Sequence, residues 1–174
     1  THPMSAVDKS LAPHGEGMLS NGTVLQDRYE ILALIAIGGM GAVYLARDRR
    51  FSAVTRNVAV KEINNSTGDA RLHKIGIKNF EREANILASL SHPSIPKIFD
   101  FFSEGHRSYL IQEFVEGQSL DDLMEVYRQP FAPEQVVDWA LQVCDVLAYL
   151  HTQNPPVIFR DIKPANLMLR IDGR

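Results

Sequence analysis

The apolar pattern of this chain changes period once, at Gly117, and that change limits what it can fold into. Before Gly117, β-branched and aromatic residues come in short runs over 29–37, 42–48, 57–64, 95–102 and 108–114, divided by glycine or polar turns, as strands do. The polar stretch 65–75 reads as a loop. A single helical stretch interrupts the strands, with Phe80, Ala84, Leu87 and Leu90 three or four residues apart over about 77–90. Ser91-His92-Pro93 ends it.

After Gly117 the pattern is helical. A short helix is expected over 119–127 and a long one over 133–151. Pro133 suits a first helical position, and Val136, Val137, Ala140, Leu141, Cys144, Leu147 and Ala148 draw a broad apolar stripe. A last short strand is expected over 167–170. Strands with one helix, then helices, predict an α+β fold of two lobes: a five-stranded antiparallel sheet with one helix, followed by a helical part. The expected division is a disordered leader over 1–22, rich in Ser, Pro, Gly and His, a sheet lobe over 23–116 and a helical lobe over 117–174.

Composition narrows the function classes. A net charge of −3 and a pI near 6.0 leave no broad basic field to hold nucleic acid. The Arg47, Arg49, Arg50 cluster is broken by Asp48. The longest uncharged run, Ile31 to Ala46, is 16 residues with glycines at its centre, whereas a membrane helix needs about 20. Cys144 is the single cysteine, and the first residues show no signal-peptide pattern. The expectation is a cytoplasmic placement. The six histidines lack paired metal-ligand spacing.

Four segments carry chemistry. Ile37-Gly38-Gly39-Met40-Gly41-Ala42-Val43-Tyr44 is either a plain hairpin turn or a turn whose backbone N–H groups approach phosphate oxygens unobstructed by Cβ atoms. Lys61 ends the apolar run Val58-Ala59-Val60, where a buried ammonium would need a partner. Glu83, one position before core-facing Ala84, is a candidate partner or a solvated helix charge. Gln112-Glu113-Phe114-Val115 ends a strand before Gly117. Arg160-Asp161-Ile162-Lys163-Pro164-Ala165-Asn166 places a carboxylate, an ammonium and a carboxamide in one short loop, the groups that phosphoryl transfer uses.

In this order and at these spacings, from about Tyr29 onward, the segments resemble the first part of a protein kinase domain of the eukaryotic-like Ser/Thr class found in prokaryotes. The resemblance implies ATP and Mg²⁺ as cofactors and protein Ser/Thr hydroxyls as substrate. It implies that Gly38, Gly39 and Gly41 cover the phosphates, and that Val43 and Ala59 pack above the adenine with Met168 beneath. Lys61 would hold the α- and β-phosphates and pair with Glu83. Glu113 and Val115 would present backbone groups to the adenine beside Gln112 as gatekeeper. Asp161 would take the substrate proton, Lys163 would steady the γ-phosphate and Asn166 would ligate one Mg²⁺.

Three departures stand out. Ala36 replaces the first glycine of the family's Gly-x-Gly-x-x-Gly, which predicts weakened nucleotide binding. Phe159 stands where histidine is usual, a packing position. The sequence stops at Arg174, short of the family's Asp-Phe-Gly segment and of the activation loop that Arg160 would meet. The expectations are little or no kinase activity from these 174 residues alone, and self-association or a companion chain on the apolar face of 133–151. The alternative is a non-catalytic, kinase-like nucleotide-binding or scaffolding module.

Overall fold

The computed structural model describes residues 18–38, 41–50, 53–64 and 70–171. Its elements run β1 (Val24–Leu25), β2 (Tyr29–Gly38), β3 (Gly41–Asp48), β4 (Asn57–Asn64), α1 (Ala70–Ser89), β5 (Ile98–Glu104), β6 (Arg107–Glu113), β7 (Gly117–Ser119), α2 (Leu120–Tyr127), α3 (Pro133–His151), a 3₁₀ turn (Pro164–Asn166) and β8 (Met168–Arg170). The fold is α+β as expected. The sheet has six strands rather than five, in the order β1-β2-β3-β4-β6-β5, and every pair in it is antiparallel. The added strand, β1, is two residues long, too short for any periodicity to reveal.

The two sheet faces have different tasks. On one, Tyr29, Ile31, Ala42, Tyr44, Ala46, Val58, Val60, Tyr109 and Ile111 form a buried cluster. Alternation along each strand puts these residues on one side. Sheet twist lets β2 and β5, far apart in strand order, meet over this cluster through side chains. Tyr29 stacks on Phe102 with ring centroids 6.2 Å apart and 9° between planes. Its hydroxyl donates to Asp100 Oδ2 at 2.9 Å, and Gln26 Nε2 donates to Glu104 Oε1 at 2.6 Å. Arg28 completes the seam with two bonds to buried Asp48, at 2.8 and 2.6 Å, and one to Asp100 at 3.3 Å. Leu19 also packs on this cluster, so ordered packing reaches back before residue 23.

The other face receives α1. Phe80 and Ala84 pack on Leu110, with Ile63, Leu87, Ile98 and Phe101 around them. The helix starts at Ala70, where the polar composition predicted a loop to residue 75. Ala, Arg, Leu and Lys are strong helix formers, and they extend the helix ahead of its apolar stripe.

The connection from α1 to β5 is moored to α3. Ser91 N–H donates to the Tyr149 hydroxyl at 2.7 Å. His92 Nδ1 accepts Ser94 N–H, so Nε2 carries the hydrogen and donates to Asp145 Oδ2 at 3.1 Å. The imidazole also lies against the Tyr149 ring, centroids 5.1 Å apart. The sequence pattern marks Ser91-His92-Pro93 only as a helix stop.

Beyond β6 the chain turns through β7, which pairs with β8. Both flank the segment from Arg160 to Asn166. A Cβ on Gly117 would overlap the Leu169 carbonyl, so only glycine lets the two backbones approach this closely. Ser119 caps α2 by accepting Asp122 N–H at 3.0 Å. The α3 bounds agree with the sequence pattern, and its stripe residues Val136, Val137 and Leu141 are exposed. Among the described residues, no helix is long and apolar enough to cross a membrane.

Candidate active site

The glycine turn joins β2 to β3. Gly38 pairs with Gly41 at its mouth, while Gly39 and Met40 lie outside the described residues. Gly41 has φ 149°, and a Cβ there would overlap the carbonyl oxygen of Glu62. Glycine is therefore required where the turn rests on β4. Ala36 is exposed on β2, opposite Val43.

Val43, Lys61 and Leu110 align across β3, β4 and β6, and Leu45, Ala59 and Gln112 form the next row. The sheet thus places the proposed adenine and phosphate residues on the face that also carries α1. Ala59 is buried, Val43 half-buried and Lys61 exposed. Glu83 is exposed on α1. Among the described residues, no ion pair or hydrogen bond joins Lys61 to Glu83. The next residue along β4, Glu62, is buried and pairs with Arg107 at 3.2 Å.

At the end of β6, Glu113 N–H donates to the Lys97 carbonyl at 2.8 Å, and Glu113 Oε2 accepts Lys97 N–H at 3.3 Å. Glu113 Oε1 lies 3.9 Å from Arg170 on β8. The segment after it is tied to β8 by Ile171 N–H to the Glu116 carbonyl at 3.0 Å. Among the described residues, Val115 makes no backbone hydrogen bond, so its N–H and carbonyl can be offered to a ligand. Met168 is exposed on β8.

The segment from Arg160 to Asn166 is organised around Asp161. Lys163 Nζ lies 2.8 Å from Asp161 Oδ2. Asn166 Nδ2 donates to the Asp161 carbonyl at 2.8 Å and to its Oδ2 at 2.9 Å. Pro164 opens the 3₁₀ turn that brings Asn166 back, closed by Asn166 N–H to the Lys163 carbonyl at 2.9 Å. The Lys163 ammonium, with help from the Asn166 amide, holds the Asp161 carboxyl below its ordinary pKa. Asp161 is therefore a solvent-facing carboxylate that keeps its charge at neutral pH. Both Asn166 Nδ2 bonds go to Asp161, which leaves Oδ1 as a hard oxygen donor of the kind Mg²⁺ accepts. Among the described residues, no three His, Cys, Asp or Glu side chains cluster as a metal site. Asn166 suits a Mg²⁺ that brings phosphate oxygens with it. Phe159 is 44% exposed, not packed as its position in the family pattern predicted.

Comparison with known proteins identifies the family. The protein kinase domain family matches residues 29–174. Serine/threonine-protein kinase B of Synechocystis sp. is 36% identical over 152 residues, covering 86% of this chain and 26% of that protein. PknB of Mycobacterium leprae is 36% identical over 149 residues, 83% of this chain and 22% of its own length. PknD of Chlamydia muridarum is 34% identical over 156 residues, 84% of this chain and 16% of its own. The chain thus spans about a quarter or less of these curated relatives. The solved structure "PpkA-294 apo form" superposes with a TM-score of 0.76 at 23% identity, over 90% of this chain and 59% of that one. At that identity it speaks for the fold alone. The chain belongs to the protein kinase domain family, of the prokaryotic Ser/Thr type.

Proposed function

We propose that this chain binds Mg·ATP between the α1 face of the sheet and the Asp161 loop, and that it supplies the catalytic loop for transfer of the γ-phosphate to a protein Ser or Thr hydroxyl. The observation that carries the reading is the arrangement of Lys163, Asp161 and Asn166, bonded to one another within 2.9 Å. Asp161, held ionised, would accept the hydroxyl proton as the oxygen attacks the γ-phosphorus and the bond to the β-phosphate oxygen breaks, releasing ADP. Lys163 lies beside it with a positive charge for the equatorial γ-oxygens. Asn166 Oδ1 would hold the Mg²⁺ that accompanies the nucleotide, which would supply neutralisation of phosphate charge. Gly38, Gly39 and Gly41 would lie over the phosphates, and Lys61 would reach the α- and β-phosphates. Val43 and Ala59 would pack on the adenine from above and Met168 from below. Glu113 and Val115 would meet its edge beside Gln112.

A second reading, nucleotide binding with little or no transfer by these 174 residues, is favoured by the absence, among the described residues, of a Lys61–Glu83 pair. In that reading Glu83 closes on Lys61 only in a different disposition of α1.

Calorimetric titration of Mg·ATP tests the first claim. Losing one charge-assisted contact is worth about 1.5–3 kcal/mol, so Lys61→Ala should weaken binding about 10- to 100-fold. Equal affinity for both proteins would remove Lys61 from the site. Radiolabelled phosphate incorporation into a generic Ser/Thr protein substrate, lost in Asp161→Ala, would separate the first reading from the second.

A further inference from the structure

One buried polar group has no place in the roles above. Glu62 follows Lys61 on β4 and is 7% exposed. Neighbours along a strand point to opposite faces, so Glu62 enters the apolar cluster while Lys61 faces α1. Its Oε1 pairs with Arg107 at 3.2 Å. Its Oε2 is buried with no hydrogen-bond partner among the described residues. A carboxylate in an apolar interior is costly to keep, and an unsatisfied oxygen makes it more so. Stability alone gives no reason for it.

Position supplies one. Ala42 pairs with Glu62 directly across the strands, and the glycine turn rests its Gly41 backbone on the Glu62 carbonyl. On the far side Glu62 pairs with Tyr109. Within the cluster its charge acts on the Tyr44 phenol, which burial chiefly and Glu62 in addition push up. The Tyr44 hydroxyl oxygen accepts Leu19 N–H at 3.1 Å. The Arg107 pair ties β4 to β6 one residue from Lys61.

We propose that Glu62 is a positioning residue for nucleotide binding: braced by Arg107, it sets the end of β4 so that Lys61 and Gly41 meet the phosphates together. The inference rests on the Mg·ATP reading given above. Deleting Glu62 also breaks its pair with Arg107 and lowers stability, so the positioning role is read from affinity in fully folded protein.

The test compares wild type with Glu62→Leu and Glu62→Gln, each well below its own melting temperature. The Gln side chain can still accept from Arg107, so it should bind Mg·ATP within about threefold of wild type. Glu62→Leu breaks the Arg107 pair and should melt below wild type, yet where both are fully folded it should bind about tenfold more weakly, as displaced contacts do. Wild-type affinity in fully folded Glu62→Leu, or a loss in Glu62→Gln as large as in Glu62→Leu, would overturn the proposal. If wild type itself fails to bind Mg·ATP, the nucleotide reading falls. Amide hydrogen exchange then decides the brace alone. Glu62→Leu should speed exchange at Ala42, Val43 and Lys61 relative to Ile111, and equal acceleration throughout the sheet would overturn it.

Discussion

Asp48→Ala should open the seam that joins the far strands of the sheet. Asp48 is 2% exposed and receives two guanidinium bonds from Arg28, at 2.8 and 2.6 Å, and the Arg50 N–H at 3.1 Å. Removing it leaves Arg28, 16% exposed, with the longer contact of 3.3 Å to Asp100 and its place over the Tyr29 ring, 4.5 Å from the centroid. Breaking a buried pair by deleting one partner costs about 3–5 kcal/mol. Asp100 and partial solvent access offset some of this, so about 2–4 kcal/mol is expected. For a chain of this length, 1 kcal/mol moves the melting temperature by about 2–4 °C. Urea unfolding followed by circular dichroism measures the loss directly.

A pH series adds a check of sign. The Arg28 hydrogen bonds chiefly, then the Arg50 N–H, hold the Asp48 carboxyl below its ordinary value against the opposing effect of burial. A depressed folded pKa contributes stability that is fully present above the unfolded pKa, about 3.9. That stability is lost as pH falls through the lower folded value. Asp48→Asn should therefore show a shallower loss of stability below about pH 4 than wild type. A cost within about 1 kcal/mol for Asp48→Ala, the ordinary scale of a surface change, would refute the assignment of Asp48 to the seam.

Three further outcomes are expected. Gly41→Ala should destabilise the sheet by about 3 kcal/mol or more, since its Cβ would overlap the Glu62 carbonyl, whereas Gly38→Ala, whose Cβ meets only the Gly41 carbonyl at 4.0 Å, should cost under about 1 kcal/mol; urea titrations compare the two. An NMR titration of Asp161 should place its carboxyl below the ordinary aspartate value and move it upward in Lys163→Ala, because the Lys163 ammonium is the leading cause of the shift. Ala36→Gly should tighten Mg·ATP binding in calorimetry, and unchanged affinity would show that the methyl on β2 does not crowd the turn.

The helical and strand periods of this chain are strong enough to read directly. The bounds of β4 and α3 follow from alternation and from Pro133. The spacing of Asp161, Lys163 and Asn166 marks the loop before any coordinates, because local chemistry within Arg160–Asn166 needs only local order. Two-residue β1 and three-residue β7 carry no period, and their existence depends on neighbours β2 and β8. The start of α1 is hidden for a related reason: its first turns are helical without an apolar stripe to announce them.

What depends on distant residues meeting belongs to the tertiary structure. A sequence pattern offers Glu83 as a partner for Lys61, but it cannot say whether α1 lies close enough to pair, and here the two are separate. It reads Glu62 as one more charge beside a lysine. Strand alternation together with the coiling of the sheet sends that charge into an apolar interior beside Tyr44 and Arg107. The mooring of His92 on Asp145 and of Ser91 on Tyr149 spans 53 and 58 residues, and no local pattern encodes such a distance. The sequence alone determined the family and the order of the longer elements, since each rests on neighbours along the chain. Sheet curvature and helix docking decided which charges are buried, paired or left open, since each rests on neighbours in space.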